Sequence, residues 1–369
     1  MKIGVPKEIK DQEGRVAITP DGARFLIQQG HQVFIETDAG LNSGFSNEHY
    51  QQSGAELVST AAAWAVDLVV KVKEPLESEY QYLDRQIIFT YLHLAGVTPS
   101  LTQELLKKGT TAIAYETLED EQGRLPLLAP MSAIAGNMAT LMGAYYLAEF
   151  NQGRGVQLGK VLGKRHGKVV IIGDGVVGQH AAQVAMAMGA NVYVAGIDSI
   201  KMQQTKTTTL PDVEFFLSSP EASAEHLKDA DLVVGAVLIH GAKAPKIVSE
   251  QMIKSMAKGA VVVDVSIDQG GCVETSKPTS HSNPVFIKHG VIHYCVTNMP
   301  GAYPRTSTIA LSDATLPYVL KIADAGKTSL MTDKTLVKAI NICDGKITCK
   351  AVAEGLGMLD NYQPIANFK

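Results

Sequence analysis

The sequence predicts an α/β chain built from two doubly wound parallel-sheet domains with a cleft between them. Three observations point there. Apolar, β-branched runs alternate with helical segments through the first half of the chain. The same alternation restarts at Lys168 after a loop rich in Gly, Lys and Arg. Glycine is frequent, at 33 of 369 residues, and aromatic content is low at 6%, as tight strand-to-helix turns require.

The first strand is Lys2 to Pro6. Thr19-Pro20-Asp21 reads as a helix start, with Thr19 as N-cap and Pro20 in the first turn. Gly30 closes that helix, and Gln32 to Glu36 is the next strand. Asp67 to Val72, Gln86 to Leu92 and Thr111 to Tyr115 supply three more. Leu125 to Ala148 carries no charge and is long enough to span a bilayer. Its Pro126, Pro130, Ser132, Gly136, Asn137 and Thr140 favour a helix from about Ser132 to Phe150, buried all round and crossing between domains. Asn151 to Lys168 reads as a loop.

The second series of strands is Val169 to Ile172, Asn191 to Ala195, Val213 to Phe216, Leu232 to Val237, Ala260 to Val265 and Val291 to Val296. From about Thr308 the chain reads as helical with no further strand pattern, and is expected to pack back on the first domain. The expected division is residues 1–129 completed by 303–369, and 130–302 as the second domain.

Composition excludes several roles. Hydrophobic residues make up 46% and charged residues 19%, with a net charge of -4, so the chain is globular and has no basic field for nucleic acid or an anionic membrane. No apolar core of signal-peptide length follows Met1, and Cys272, Cys295, Cys343 and Cys349 form no C-x-x-C pair. The expectation is a reducing cytoplasm. His289 and His293 are four apart with Cys295 nearby, but that spacing shares a face only on a helix, and the run reads as a strand. No metal site is expected.

Gly173-Asp174-Gly175-Val176-Val177-Gly178 matches G-x-G-x-x-G. The hexamer alone is weak. Here it follows the strand Val169 to Ile172 and opens a helix, Gln179 to Met188, closed by Gly189. That is the context of a Rossmann-like dinucleotide site, in which Gly173, Gly175 and Gly178 let the backbone approach a pyrophosphate at a helix N-terminus. The ribose-binding acid belongs about 20 residues on, at the end of the second strand. That end falls at Gly196. Asp198, two residues later, either reaches the ribose or is a solvated loop residue. With no acid at the ribose, Lys201 would favour a 2′-phosphate, so both NAD and NADP remain open.

Ligands of open parallel sheets bind beyond the C-terminal ends of the strands. The reactive side chains following each run are Arg15, Lys73, His93 and Glu116 in the first domain, and Asp268 and Asn298 in the second. Each also has an ordinary structural role open to it: a solvated loop arginine, a strand end, a core histidine, a local cap, a turn residue. Together they suit chemistry on a small carboxylic acid. Arg15 grips a carboxylate with two parallel hydrogen bonds, Lys73 adds a second cationic donor, and His93 moves a proton near neutral pH. Asp268 orients or deprotonates a water or an amine, and a nicotinamide exchanges hydride with the carbon between them.

Ordered motifs along nearly the whole chain carry a resemblance. They are Gly4-Val5-Pro6-Lys7-Glu8, Arg15-Val16-Ala17, Lys71-Val72-Lys73-Glu74-Pro75, Tyr91-Leu92-His93-Leu94-Ala95, Ala114-Tyr115-Glu116-Thr117 and Pro126 to Ser132. Gly235-Ala236-Val237-Leu238, Asp264 to Gly271 and Asn298-Met299-Pro300 continue them. The chain resembles the bacterial and cyanobacterial alanine dehydrogenases, whose family includes the nucleotide-binding α subunit of transhydrogenase. The resemblance implies reversible, NAD-dependent oxidative deamination of L-alanine to pyruvate and ammonium in a homohexamer. It implies Arg15 and Lys73 as substrate-binding residues, and His93 and Asp268 as the acid/base pair. It implies Ser132, Val176, Val177, Lys201, Ser218, Val237, Leu238, Ile267, Asn298, Met299, Pro300 and Gly301 as cofactor contacts.

Two departures stand out. The family's ribose-binding Asp falls on Gly196, and its Gly-Gly-Val-Pro-Gly loop reads Gly159-Lys160-Val161-Leu162-Gly163 here. Other readings are a transhydrogenase subunit, a dehydrogenase of another small amino or keto acid, and a protein that binds NAD(H) without turnover. The first and last predict an incomplete substrate set, whereas Arg15, Lys73 and His93 are all present.

Overall fold

The computed structural model describes residues 1–239, 243–330 and 333–368. It divides into two compact units, Met1–Met131 with Gly301–Lys369, and Ser132–Pro300.

The first unit carries an eight-stranded sheet. Its first six strands are β1 (Lys2–Val5), β2 (Gln32–Glu36), β3 (Glu56–Val58), β4 (Leu68–Val70), β5 (Ile87–Thr90) and β6 (Thr111–Ala114). They are mutually parallel in the order 3-2-1-4-5-6. β4, β5 and β6 are buried at every residue, which explains their unbroken apolar runs: both sheet faces are covered by helices. The helix Pro20–Gln28 starts as its sequence dictates. Thr19 Oγ1 accepts from Gly22 N at 3.1 Å, and Pro20 sits in the first turn.

The end of the chain completes this unit. The helix Pro304–Leu330 offers Thr308 Oγ1 to Val16 N at 3.0 Å and Ser312 Oγ to Thr19 N at 3.1 Å. Beyond it, Ile340–Cys343 pairs antiparallel with β6, and Lys346–Ile347 pairs antiparallel with that strand. This corrects the expectation of a strandless C-terminal region. The hairpin turns at Asp344-Gly345, both at positive φ, a two-residue turn whose twist matches that of the strands.

The second unit has a seven-stranded sheet. Its strands are β7 (Lys168–Ile172), β8 (Asn191–Gly196), β9 (Glu214–Leu217), β10 (Leu232–Gly235), β11 (Val261–Asp264), β12 (Val285–Lys288) and β13 (Val291–Tyr294). The order is β9-β8-β7-β10-β11-β13-β12, parallel except for β12. The core lies between Val170, Val233 and Val262 of the sheet and Leu227, Met252 and Ile253 of the covering helices. The expected loop at 151–168 contains a small hairpin, Gly159–Val161 with Lys164–His166. The uncharged helix spans Ala129–Tyr146 and is not buried all round, since Leu141 and Tyr145, four apart, are exposed. Absence of charge was a poor proxy for burial there. No described helix is long and apolar enough to cross a membrane.

His293 lies on β13, fully buried and stacked on Phe286. Its Nδ1 is 3.0 Å from the Val291 carbonyl and its Nε2 is 2.7 Å from Thr275 Oγ1. His289 instead meets Glu250 at 2.6 Å, so the two histidines have separate partners. Burial pushes the His293 pKa down to about 4. The imidazole is therefore neutral in the fold and takes a proton on unfolding below about pH 6.5. This stabilisation is full above pH 6.5 and is lost as pH falls toward 4. Urea melts should show a loss of about 2 kcal/mol between pH 7 and 5 from this group. His293→Gln should flatten the curve by that amount, and an unchanged pH slope in the variant would exclude His293 as its source.

Candidate functional site

In the first unit the strand order reverses between β1 and β4, the place where open parallel sheets take ligands. The chain leaving β1 brings Glu8, Glu13 and Arg15, all buried. The chain leaving β4 brings Lys71 and Lys73.

Lys71 is wholly buried between two carboxylates. Its Nζ is 2.9 Å from Glu79 Oε1 and 3.3 Å from Glu8 Oε2. Burial opposes the ammonium, but Glu8 and Glu79 outweigh it and hold the lysine charged. The other oxygen of Glu8 accepts Val72 N at 2.7 Å and Lys73 N at 3.3 Å. The Lys73 carbonyl accepts from Thr90 Oγ1 at 3.0 Å. The backbone of Lys73 is thus tied on both sides, which fixes the root of its side chain. Burial, and then the charge of Arg15, push the Lys73 pKa down.

Arg15 is 2% exposed, so it is not a solvated loop arginine. Its Nε and Nη2 both reach Glu13, at 2.6 and 2.5 Å, and Nη1 donates to Met131 Sδ at 3.1 Å. This corrects the picture of a fork held ready for a ligand carboxylate: two of its arms already grip a carboxylate of this chain. The partner of Nη1, a thioether, is a weak acceptor.

His93 follows β5 in a left-handed conformation, with φ 47°. Its N donates to Glu116 Oε1 at 2.6 Å and Leu92 N donates to Oε2 at 3.2 Å, so Glu116, from the end of β6, clamps this turn. The ring lies parallel to Tyr91 with centroids 5.8 Å apart, and Nδ1 is 3.9 Å from Glu116. Tyr91 is itself anchored through its hydroxyl to the Leu127 carbonyl at 2.6 Å. At 46% side-chain exposure His93 is not a core histidine.

In the second unit the predicted residues fall at the C-terminal ends of the strands of one sheet. The turn Gly173 to Gly178 lies after β7, Asp198 and Lys201 after β8, Ser218 after β9, Val237 and Leu238 after β10, Ile267 and Asp268 after β11, and Asn298, Met299 and Pro300 after β13. Ser132 lies in the helix Ala129–Tyr146, and Gly301 follows Pro300 directly, at the boundary where the chain returns to the first unit. Asp268 Oδ1 is 3.4 Å from Asn298 N. Asp198 caps the helix Ser199–Thr208, its Oδ1 accepting Ile200 N at 2.9 Å and Lys201 N at 3.1 Å.

The glycine turn fits a dinucleotide. A Cβ on Gly173 would stand 2.5 Å from the Ala236 carbonyl oxygen, and one on Gly178 would stand 1.9 Å from that of Gly173. Strand, turn and helix therefore pack backbone to backbone. At Gly175 a Cβ would meet nothing within 4 Å, and no side chain caps the helix Val176–Met188. That leaves open N–H groups on the approach a pyrophosphate needs.

Glu13, Glu79 and Asp174 escaped the sequence reading as site residues. The only trace was an acid two residues before Arg15 and one inside the glycine motif.

The alanine dehydrogenase/PNT N-terminal domain model matches residues 4–135, and the C-terminal domain model of the same name matches residues 139–350. The chain belongs to the alanine dehydrogenase/PNT family. It is 49% identical over 362 residues to an alanine dehydrogenase of Bacillus subtilis, covering 97% of this chain and 95% of the relative. An alanine dehydrogenase of Staphylococcus epidermidis is 48% identical, with 96% of each covered. A solved L-alanine dehydrogenase superposes with a TM-score of 0.93 at 47% identity, covering 97% of this chain and all of the other. A transhydrogenase from Sinorhizobium meliloti shares the fold, with a TM-score of 0.81 over 95% of this chain and all of the other, at 22% identity.

Proposed function

We propose that this chain is an oxidoreductase catalysing the reversible oxidative deamination of L-alanine: L-alanine, water and NAD⁺ give pyruvate, ammonium, NADH and a proton. The observation that carries this is the coexistence in one chain of a complete set of polar side chains for a small carboxylic acid (Arg15, Lys73, His93) and an intact glycine cradle. The near full-length likeness to alanine dehydrogenases supports the choice of substrate. When bound, the nicotinamide dinucleotide supplies the hydride acceptor. Arg15, through Nη1, and Lys73 hold the substrate carboxylate and the adjacent oxygen. Lys73, with its pKa lowered, donates to that oxygen from a fixed root. His93 gives and takes the proton at the substrate oxygen as water adds to the imine and the carbinolamine collapses. Asp268 serves as the second acid/base on the dinucleotide-binding unit. We assign NAD over NADP, and by family likeness a homohexamer in the cytoplasm.

The test is initial rates with pyruvate and ammonium, with NADH and NADPH side by side. NADH oxidation that depends on both substrates is expected. A folded protein that consumes neither cofactor at high pyruvate and ammonium would overturn the assignment.

A further inference from the structure

The end of β8 lacks the acid that a dinucleotide fold normally places against the adenosine ribose, since Gly196 stands there. Asp198 lies two residues further on, where its Oδ1 caps the following helix. The space beside Gly196 is nevertheless filled. A Cβ built there would stand 2.6 Å from Met202 Sδ and 3.2 Å from Cγ of Asp174. The Met202 thioether and, just beyond it, a carboxyl group from the glycine turn therefore fill the space beside position 196. The register explains how: Ile172 of β7 pairs with Ala195 of β8, so the residues following each strand lie side by side.

Asp174 is 8% exposed, and its enclosed Oδ2 accepts no hydrogen bond among the described residues. Lys201 Nζ lies 3.4 Å from that oxygen. The spare acceptor capacity of Oδ2 opens to a ligand when Lys201, itself half exposed, swings aside, and the lysine offsets part of the carboxylate's charge.

We propose that Asp174 is the specificity-determining residue for the dinucleotide, accepting hydrogen bonds from the adenosine ribose hydroxyls in place of the missing strand-end acid, with Lys201 as its counter-charge. This rests on the proposed dinucleotide-dependent activity. Two hydroxyls donate to the carboxylate. A 2′-phosphate brings negative charge against it, and Lys201 relieves only part of that repulsion. Asp174 and an acid at 196 are therefore alternatives: with both present, two carboxylates face each other across about one van der Waals contact.

Fluorescence titration of the full-length protein with NADH and with NADPH, without substrate, tests this. The wild type should bind NADH at least about 10-fold tighter than NADPH. Asp174→Asn should weaken NADH and strengthen NADPH, lowering the preference ratio roughly 10- to 100-fold. Lys201→Ala should move the ratio the other way. Asp174→Gly combined with Gly196→Asp should restore a preference for NADH that Asp174→Gly alone loses. An unchanged ratio in folded Asp174→Asn, or in Asp174→Gly should the first variant not fold, overturns the proposal while leaving the dehydrogenase reading in place. A wild type that binds neither dinucleotide overturns both.

Discussion

Replacing His93 with alanine lowers kcat for pyruvate amination by about 10²- to 10⁴-fold, the usual contribution of a positioned acid/base, and leaves NADH affinity unchanged. The site separates the two readouts. The ring belongs to the first unit, on the turn clamped by Glu116, whereas the glycine cradle belongs to the second. The side chain is nearly half exposed and is held laterally by stacking on Tyr91, so its removal leaves no large cavity. The backbone hydrogen bonds to Glu116 do not involve the imidazole and survive in the variant. Stability should change little, and lost activity would report chemistry and not unfolding. The expected pattern is a fall in kcat with NADH titrations that overlay the wild type. Turnover within a few-fold of wild type would remove His93 from proton transfer and move that role to Lys73, whose lowered pKa suits it better than Arg15.

The fold was legible where the physics is local. β-Branched runs such as Val169 to Ile172 must be strands buried on both faces, and Thr19-Pro20 must open a helix. What went unread were the antiparallel additions. The hairpins joining Cys343 to Lys346, Val161 to Lys164 and Lys288 to Val291 each turn on two residues ending in Gly, with both residues at positive φ. Asp344-Gly345 is a strong hairpin signal, whereas Leu162-Gly163 and His289-Gly290 put an unfavoured residue first. The site showed the same division. Arg15, Lys73, His93 and Asp268 were legible as reactive side chains at strand ends. Their partners were not. Glu13 meets Arg15 inside an irregular loop, where no periodicity relates positions two apart. Glu79 reaches Lys71 across a separate turn. Asp174 reaches the Gly196 position only because two successive strands lie side by side in register.

The buried triad behind the substrate residues gives the largest stability effect. Lys71→Met leaves Glu8 and Glu79 enclosed without their cation, and breaking a buried pair by removing one partner costs about 3–5 kcal/mol. For a unit of this size that is a fall in Tm of roughly 10 °C. The opposite substitutions show whether charge is the cause. With Lys71→Met combined with Glu8→Gln and Glu79→Gln, no buried charge is left unpaired, and much of the loss should be recovered. Function need not return with it. Glu8 also accepts the N–H groups of Val72 and Lys73, and a glutamine there accepts with a neutral carbonyl, roughly half as strongly. The root of Lys73 loosens, so KM for pyruvate should remain raised in the triple variant after its Tm has recovered. Thermal melts and pyruvate saturation curves on the same preparations separate the two effects. A Tm for Lys71→Met within a degree or two of wild type would mean that water or rearrangement compensates the carboxylates. The triad would then not be the rigid base on which Lys73 is held.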